Sequence, residues 1–348
     1  MVLQENVPLA PLTTFRLGGP ARYFVEAHSP TDVSEAIVFA NAREVPVFIL
    51  GGGSNLVVSD SGWPGLVLKL EIKGIDRREQ EGKTFFTVGA GESWDDFVAR
   101  AVTANCAGIE CLSGIPGSVG GTPVQNVGAY GQEVSQTIDS VEAFDRKDAQ
   151  VRELCNEACE FSYRSSIFNT TEPGRFIILR VTYELSPGGE PHIEYADLRR
   201  CFEGRTSRPT LAEVRKAVRE IRARKGMLLV EGDPDSRSAG SFFKNPALSE
   251  REHADLKNRA EAKGLAIPSY PNLAQTHKVS AAWLVEHSGF SRGYSCGKVG
   301  ISSKHALALI NRGEATAAEV LALKDMIQKK VEEVWGIRLH PEPVFVGT

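Results

Sequence analysis

The chain has 348 residues, 42% hydrophobic and 24% charged, with 40 Lys or Arg against 44 Asp or Glu and a net charge of −4. That length carries two or three domains with proper cores, and the composition excludes a disordered or fibrous protein. The near balance of charge argues against a general nucleic-acid binder, and no apolar run reaches the length of a membrane span.

Met1–Asn6 lacks the charged and apolar regions of a signal peptide, so a cytoplasmic protein without membrane or nucleic-acid partners is expected. The six cysteines (Cys106, Cys111, Cys155, Cys159, Cys201 and Cys296) form no CxxC pair. Free thiols in a reducing compartment follow. Cys155 and Cys159 lie one helical turn apart, but no histidine lies near them in sequence, so no metal site is expected.

In chain order, Ala21–Ala27 reads as a strand. Ser29 then caps a helix with Pro30 at its first position and Val33, Ala36, Ile37 and Ala40 on one face. Val45–Leu50 is a short buried strand running into Gly51-Gly52-Gly53-Ser54-Asn55. Further strands are expected at Val67–Leu70 and Thr84–Val88, and Ser93 caps a helix carrying Trp94, Phe97 and Val98. After a central glycine block, strands resume at Ile138–Phe144 and Phe176–Leu185, and Pro187-Gly188-Gly189 marks a boundary. Arg199–Lys225 holds ten Lys or Arg against three Glu; its second half, from Leu211, is helical in pattern, and such a run is usually a solvated face. Two capping boxes, Ser249–Glu252 and Thr316–Glu319, each open a helix. The second runs to about Val334 on a stripe of Val320, Leu323, Ile327, Val331 and Val334, and Gly336 stops it. The mixture is α+β, without repeats.

The central block is the most informative stretch. No lysine or arginine occurs between Ala101 and Asp145, yet Gly114–Gly131 holds six glycines. Glycine lets backbone N–H groups approach a ligand with no Cβ in the way, and a run of such groups forms an anion site without a side-chain cation. A phosphate-bearing cofactor held by main chain is one reading; a string of tight turns is the other. Standard phosphate motifs are absent. No G-x-G-x-x-G occurs, and Gly82-Lys83-Thr84 follows Arg77 where a P-loop needs its first glycine, so a hairpin turn is expected there.

Six motifs in order resemble the bacterial UDP-N-acetylenolpyruvoylglucosamine reductases. They are Gly51–Leu56, Gly114–Gly121, Gln125–Gly131, Tyr163–Phe168, Gly240–Pro246 and Pro341–Gly347, and the resemblance spans about Thr14 to Gly347. It implies an α+β fold: a FAD-binding scaffold of the vanillyl-alcohol oxidase (PCMH) type in two lobes, plus a C-terminal α+β substrate-binding domain. The expected limits are 1–72 for the first lobe, with 335–348 returning to it, then 73–210 for the second lobe and 211–334 for the substrate domain. The implied activity is an NADPH-dependent UDP-N-acetylmuramate dehydrogenase of peptidoglycan precursor synthesis, monomeric, whose FAD reduces the enolpyruvyl ether of a UDP-sugar. Ser-Phe-Phe-Lys-Asn-Pro and the Tyr195 segment match the longer subtype, with a tyrosine loop over the substrate.

The resemblance assigns FAD contacts to Gly51, Gly52, Gly53, Ser54, Asn55, Gly114, Ile115, Pro116, Gly117, Ser118, Gly120, Gly121, Asn126, Gly128 and Ala129. Tyr195, Lys225 and Asn245 would meet the sugar nucleotide, Lys225 as a point charge at the diphosphate. Lys304 and His305 fall where relatives offer a glutamine. For the chemistry, Arg164 would grip the substrate carboxylate and stabilise an enolate. Glu342 would assist if protonated, or by orienting Arg164 or a water. Ser241 would supply a proton to the basic enolate carbon, for which a weak acid suffices at hydrogen-bond distance. Two rivals share part of this pattern. A sugar-lactone or alcohol oxidase on the same scaffold has no reason to carry Gly240–Pro246 or the Tyr163-Arg164 pair. A non-catalytic nucleotide binder has no reason to carry Arg164, Ser241 and Glu342 together.

Overall fold

The structure, a computed structural model, describes residues 1–271 and 276–347. The chain divides into two compact units that do not follow sequence order. The first comprises Met1–Val7, Pro20–Gly53 and Trp63–Leu228; the second comprises Pro8–Gly19, Ser54–Gly62 and Leu229–Thr348.

The first unit carries two sheets. In one, the strands lie in the order Leu3–Pro8, Pro20–Ala27, Trp63–Leu70 and Val47–Leu50, and the last two pairings are parallel. Parallel neighbours need a crossover, and the Pro30–Ala42 helix lies on the chain between the second and the fourth of these strands. Ser29 accepts the Asp32 N–H at its start, and Val33, Ala36, Ile37 and Ala40 are buried, as the spacing predicts. The other sheet is antiparallel, ordered Gln150–Cys155, Ile138–Asp145, Phe176–Pro187, Lys83–Gly89 and Ile75–Gln80. Its Gly82 turn is the expected hairpin. Gln80 faces Lys83, and Glu81 and Gly82 both take positive φ, 52° and 76°, as a tight two-residue hairpin loop demands.

Against this sheet packs the Trp94–Thr103 helix, whose buried positions Trp94, Phe97, Val98, Ala101 and Val102 fall on one face. Tyr183 joins that core. Its ring lies 5.1 Å from Phe97 and 5.7 Å from Trp94, and its hydroxyl meets the Thr122 hydroxyl at 2.7 Å. The glycine block therefore sits on a rigid aromatic floor.

Asp145, fully buried, closes the sheet's far end. It accepts Arg175 through Nε at 3.0 Å and Nη2 at 2.7 Å, Arg152 Nε at 3.1 Å and the Lys147 N–H at 3.0 Å. The Arg175 hydrogen bonds hold its carboxyl well below the ordinary carboxylate range. Such a group stabilises the fold fully above its unfolded value of about 4, and loses that contribution as pH falls toward the depressed folded value. Asp145→Asn is expected to lower Tm at pH 7, with the gap to wild type narrowing below about pH 4. Thermal melts across pH test this; a gap independent of pH would mean that charge pairing is not what Asp145 contributes.

In the second unit, Leu56–Val58 pairs in parallel with Val344–Val346, so an early strand closes on the end of the chain. Two three-stranded antiparallel sheets accompany it, Ala247–Ser249 with Thr276–Val279 and Ser269–Pro271, and Ser295–Cys296 with Val299–Ile301 and Leu309–Asn311. Both capping boxes form, Ser249 with Glu252 and Thr316 with Glu319. The Ala317–Trp335 helix also receives Asp60, which accepts the N–H groups of Ala317 at 2.7 Å and Ala318 at 3.0 Å. Its last buried position is Trp335, with Val334 half-buried, and Gly336 stops it at φ 73°. From sequence a substrate domain is expected to open at Leu211; in the structure the Leu211–Arg224 helix lies in the first unit, and the chain enters the second at Leu229. Among the described residues no helix is long and apolar enough to cross a membrane.

Candidate active site

In the first unit the two glycine-rich loops interlock, backbone against backbone. A Cβ on Gly52 would lie 2.5 Å from Gly117 Cα and 2.7 Å from Ser118 N, and one on Gly51 would lie 2.7 Å from Ser118 Oγ. Gly53, Gly114 and Gly117 have φ of 64°, 73° and 124°, conformations that side chains resist. The loop is pinned beneath: Val119 N–H donates to Glu92 C=O and Gly120 N–H to Ala90 C=O, each at 2.9 Å. At its centre the Ser118 hydroxyl is buried, and among the described residues it has no hydrogen-bond partner. A buried hydroxyl without a partner is costly, so this one calls for a polar ligand.

The second glycine loop does a different job. The buried Asn126 spends its side chain on the protein: Nδ2 donates to Glu133 Oε2 at 2.9 Å and to Ser162 C=O at 3.1 Å, while Oδ1 accepts the Ser135 N–H at 3.1 Å. These bonds bring the loop to Arg164, whose Nη2 donates to Gly128 C=O at 2.8 Å and Nη1 to Asn126 C=O at 3.4 Å. Arg164 takes a left-handed backbone, φ 55°, which surrounding contacts must maintain. Asn126, expected as a FAD contact, braces the loop with its side chain and meets Arg164 through its main-chain carbonyl. Asn126→Ala is expected to lower kcat about tenfold or more, since each unmade buried hydrogen bond costs about 1–3 kcal/mol. Steady-state assays with saturating FAD test this, and a rate within twofold of wild type would remove the brace from the mechanism.

Further along that loop, Tyr130 places its ring 5.3 Å from Tyr195, edge to face, and Lys225 Nζ lies 5.9 Å from the Tyr195 ring. Lys225 bonds Asp197 at 2.7 Å. Burial works against its charge, but the Asp197 carboxylate prevails and holds its pKa above the ordinary lysine value. The structure therefore brings together Arg164, Asn126, Gly128, Tyr195 and Lys225 from four separate stretches of chain. The basic run before Lys225 is largely spent internally. Arg215 bonds Asp95 at 2.5 Å, Arg219 pairs with the same carboxylate, and Asp95 also accepts the Gly114 N–H at 2.6 Å.

Within the second unit, Ser241 and Glu342 sit on adjoining backbone. Phe242 C=O accepts the Glu342 N–H at 2.9 Å, Phe242 N–H donates to Leu307 C=O at 2.8 Å, and Phe243 bridges Pro341. Gly240, at φ 73°, delivers the chain to Ser241. Asn55 joins them: its Nδ2 donates to Glu342 C=O at 3.2 Å, and its own C=O accepts the Val344 N–H at 2.9 Å. Ser54 C=O accepts the Thr14 hydroxyl at 3.4 Å. The Oδ1 of Asn245 takes the Ala281 N–H at 2.9 Å, fixing that side chain at the start of a helix. Lys304 is held by Asp233, and His305 Nδ1 accepts the Leu307 N–H at 2.9 Å. Arg164 belongs to the first unit; Ser241 and Glu342 belong to the second.

Comparison with known proteins bears on these loops. A model described as FAD binding domain matches residues 21–154, and one described as UDP-N-acetylenolpyruvoylglucosamine reductase, C-terminal domain, matches 233–346. The chain is 45% identical to the UDP-N-acetylenolpyruvoylglucosamine reductase of Streptomyces coelicolor, over 99% of this chain and 90% of that protein. The chain belongs to the UDP-N-acetylenolpyruvoylglucosamine reductase family. The reductase of Thermobifida fusca is likewise 45% identical, over 99% of this chain and 98% of its own. A crystal structure of the reductase from Thermus caldophilus matches with TM-score 0.66 at 27% identity, covering 99% of this chain and all of that one.

As a UDP-N-acetylenolpyruvoylglucosamine reductase family member, the chain is an oxidoreductase with the expected α+β fold on a FAD-binding scaffold. FAD fits the residues present on two counts: a buried Ser118 hydroxyl without a partner among the described residues, and two glycine loops packed so closely that a Cβ at Gly51 or Gly52 would strike Gly117 or Ser118. Three residues of the reductase carry weight that sequence reasoning did not give them: Tyr130, Asp95 and Arg222. The last was legible in principle. It continues the buried stripe of Val214, Ala217, Val218 and Ile221, so helical spacing alone puts a charge on an apolar face.

Proposed function

We propose that this chain reduces UDP-N-acetyl-3-O-(1-carboxyvinyl)-glucosamine to UDP-N-acetylmuramate with NADPH, in peptidoglycan precursor synthesis, acting as a monomer in the cytoplasm. The observation that carries this reading is the pair of interlocked glycine loops around a buried Ser118 hydroxyl that has no partner among the described residues, in a chain of this family. Gly51–Asn55, Gly114–Ser118, Gly120, Gly121, Asn126, Gly128 and Ala129 would hold FAD, and the Asn126 side chain also braces its own loop. When bound, FAD would supply the hydride chemistry, with NADPH as its source and the terminal carbon of the enolpyruvyl double bond as the acceptor.

The electron pair of that double bond then resides on the adjacent carbon and its carboxylate. Arg164 grips the carboxylate and offsets the developing charge; its guanidinium is permanently charged, and a preorganised cation needs no rearrangement as the anion forms. The Gly128 and Asn126 carbonyls fix the fork's direction. Glu342 shares this task as a neutral acid or through an intervening water. Ser241 Oγ–H gives its proton to the adjacent carbon, completing the saturated lactyl ether, and regains one from water. Tyr195, Lys225 and Asn245 hold the nucleotide, Lys225 at the diphosphate.

The experiment is NADPH oxidation by the FAD-loaded protein, with and without the enolpyruvyl sugar nucleotide. Consumption that requires the sugar nucleotide is expected. Colourless protein that takes up no flavin, or NADPH loss indifferent to the sugar nucleotide, would overturn the reading.

A further inference from the structure

Arg222 is only 9% exposed, on the face of its helix that carries Val218 and Ile221. Burying a guanidinium is unfavourable unless its donors are satisfied, and burial draws its pKa below the ordinary arginine value. Its donors are committed in a definite way. Nε donates to Gly114 C=O at 3.0 Å, and Nη2 donates to Met227 C=O at 2.6 Å. A Cβ on Gly114 would come within 3.3 Å of the Arg222 side chain, so the contact is close-packed. Gly114 is held on its other side as well, by Asp95. Tyr130 packs against Val214, Ala217, Val218 and Ile221 on the same helix face, its hydroxyl partly offsets the burial of the guanidinium, and its ring meets Tyr195.

We propose that Arg222 is a positioning residue of the reductase: it ties the flavin-side loop at Gly114 to the Tyr130–Tyr195 pair on the nucleotide side, so that both are set in one register. This rests on the function proposed above. A lysine fills much of the same space but presents a single ammonium, and it cannot span both carbonyls as the planar fork does. An apolar side chain would leave the buried Gly114 carbonyl and the half-buried Met227 carbonyl without the guanidinium.

The test compares wild type with Arg222→Lys and Tyr130→Phe, using the full chain both loaded with FAD and stripped of it. Hydrogen exchange of 114–121 and 128–133 is followed alongside steady-state kinetics. In Arg222→Lys, exchange is expected to rise about tenfold in both segments, with or without FAD, as for one lost charge-assisted hydrogen bond. KM for the enolpyruvyl sugar nucleotide should rise by about the same factor, while kcat changes by less than about threefold. Tyr130→Phe deletes only a hydroxyl, and should raise exchange at 128–133 and KM while leaving FAD content unchanged. If Arg222→Lys lowers Tm yet leaves exchange in both segments and KM as in wild type, the residue is merely structural and the proposal fails. If Arg222→Lys does not fold, Tyr130→Phe decides by the same measures, and wild-type values there overturn it. Failure of the proposed function would show separately, as wild-type protein that binds no FAD or reduces no sugar nucleotide.

Discussion

Ser241→Ala is expected to leave reduction of FAD by NADPH at its wild-type rate and to slow transfer to the enolpyruvyl substrate by at least about a hundredfold. The split follows from the task. A proton donor to the substrate carbon plays no part when NADPH gives up hydride, but it is needed once the enolate forms. The backbone around it is rigid: Phe242 is bonded through both N–H and C=O, and Phe242 and Phe243 are buried. Removing one oxygen should therefore leave the surrounding chain where it is. Stopped-flow measurement of the two half-reactions separates them. A variant that reduces the sugar nucleotide at near-normal speed would remove Ser241 from the mechanism.

Gly52→Ala carries the second large effect, on the cofactor. Gly52 does not occupy the left-handed region, so an alanine there meets no backbone strain; the trouble is contact. Its Cβ would come within 2.7 Å of three Gly117 and Ser118 atoms, all of them main chain, and main chain cannot swing aside as a flexible side chain does. Overpacking of this kind costs about 1–3 kcal/mol. If it falls on the loop that faces FAD, affinity should drop roughly ten- to hundredfold, seen as protein purified with little yellow colour and a raised Kd on flavin titration. Gly82→Ala supplies the contrast, since Gly82 has φ 76° and open space around its Cβ position. That variant should lose stability through the turn, yet bind FAD as wild type does. Equal FAD affinity in Gly52→Ala and wild type would mean that the interlocked loops are not the cofactor's cradle.

How much of this was readable beforehand depended on the range of the interaction. Ser29, Ser93, Ser249 and Thr316 are legible as caps because each acts on an N–H three residues away. The glycine loops are legible because glycine is chosen for the backbone itself. Asn126 is harder. Only the fold supplies Glu133, Ser162 and Ser135 as partners of its side chain. Arg222 was hidden by its neighbours: a basic run is read as a solvated face, and that expectation overrides the apolar periodicity it interrupts. Gly51–Gly53 and Ser54-Asn55 are contiguous in sequence, yet they fall in different units, a division that no local pattern marks.

That division has a consequence for biogenesis. Leu56–Val58 is made long before its partner strand Val344–Val346, which follows it in sequence by more than half of the chain. At about 5–20 residues per second, the early strand waits tens of seconds with an unpaired edge, an invitation to aggregation. Fragments ending anywhere before residue 344 lack that closing strand, so nascent or truncated products should depend on chaperones until Val344–Val346 has been made.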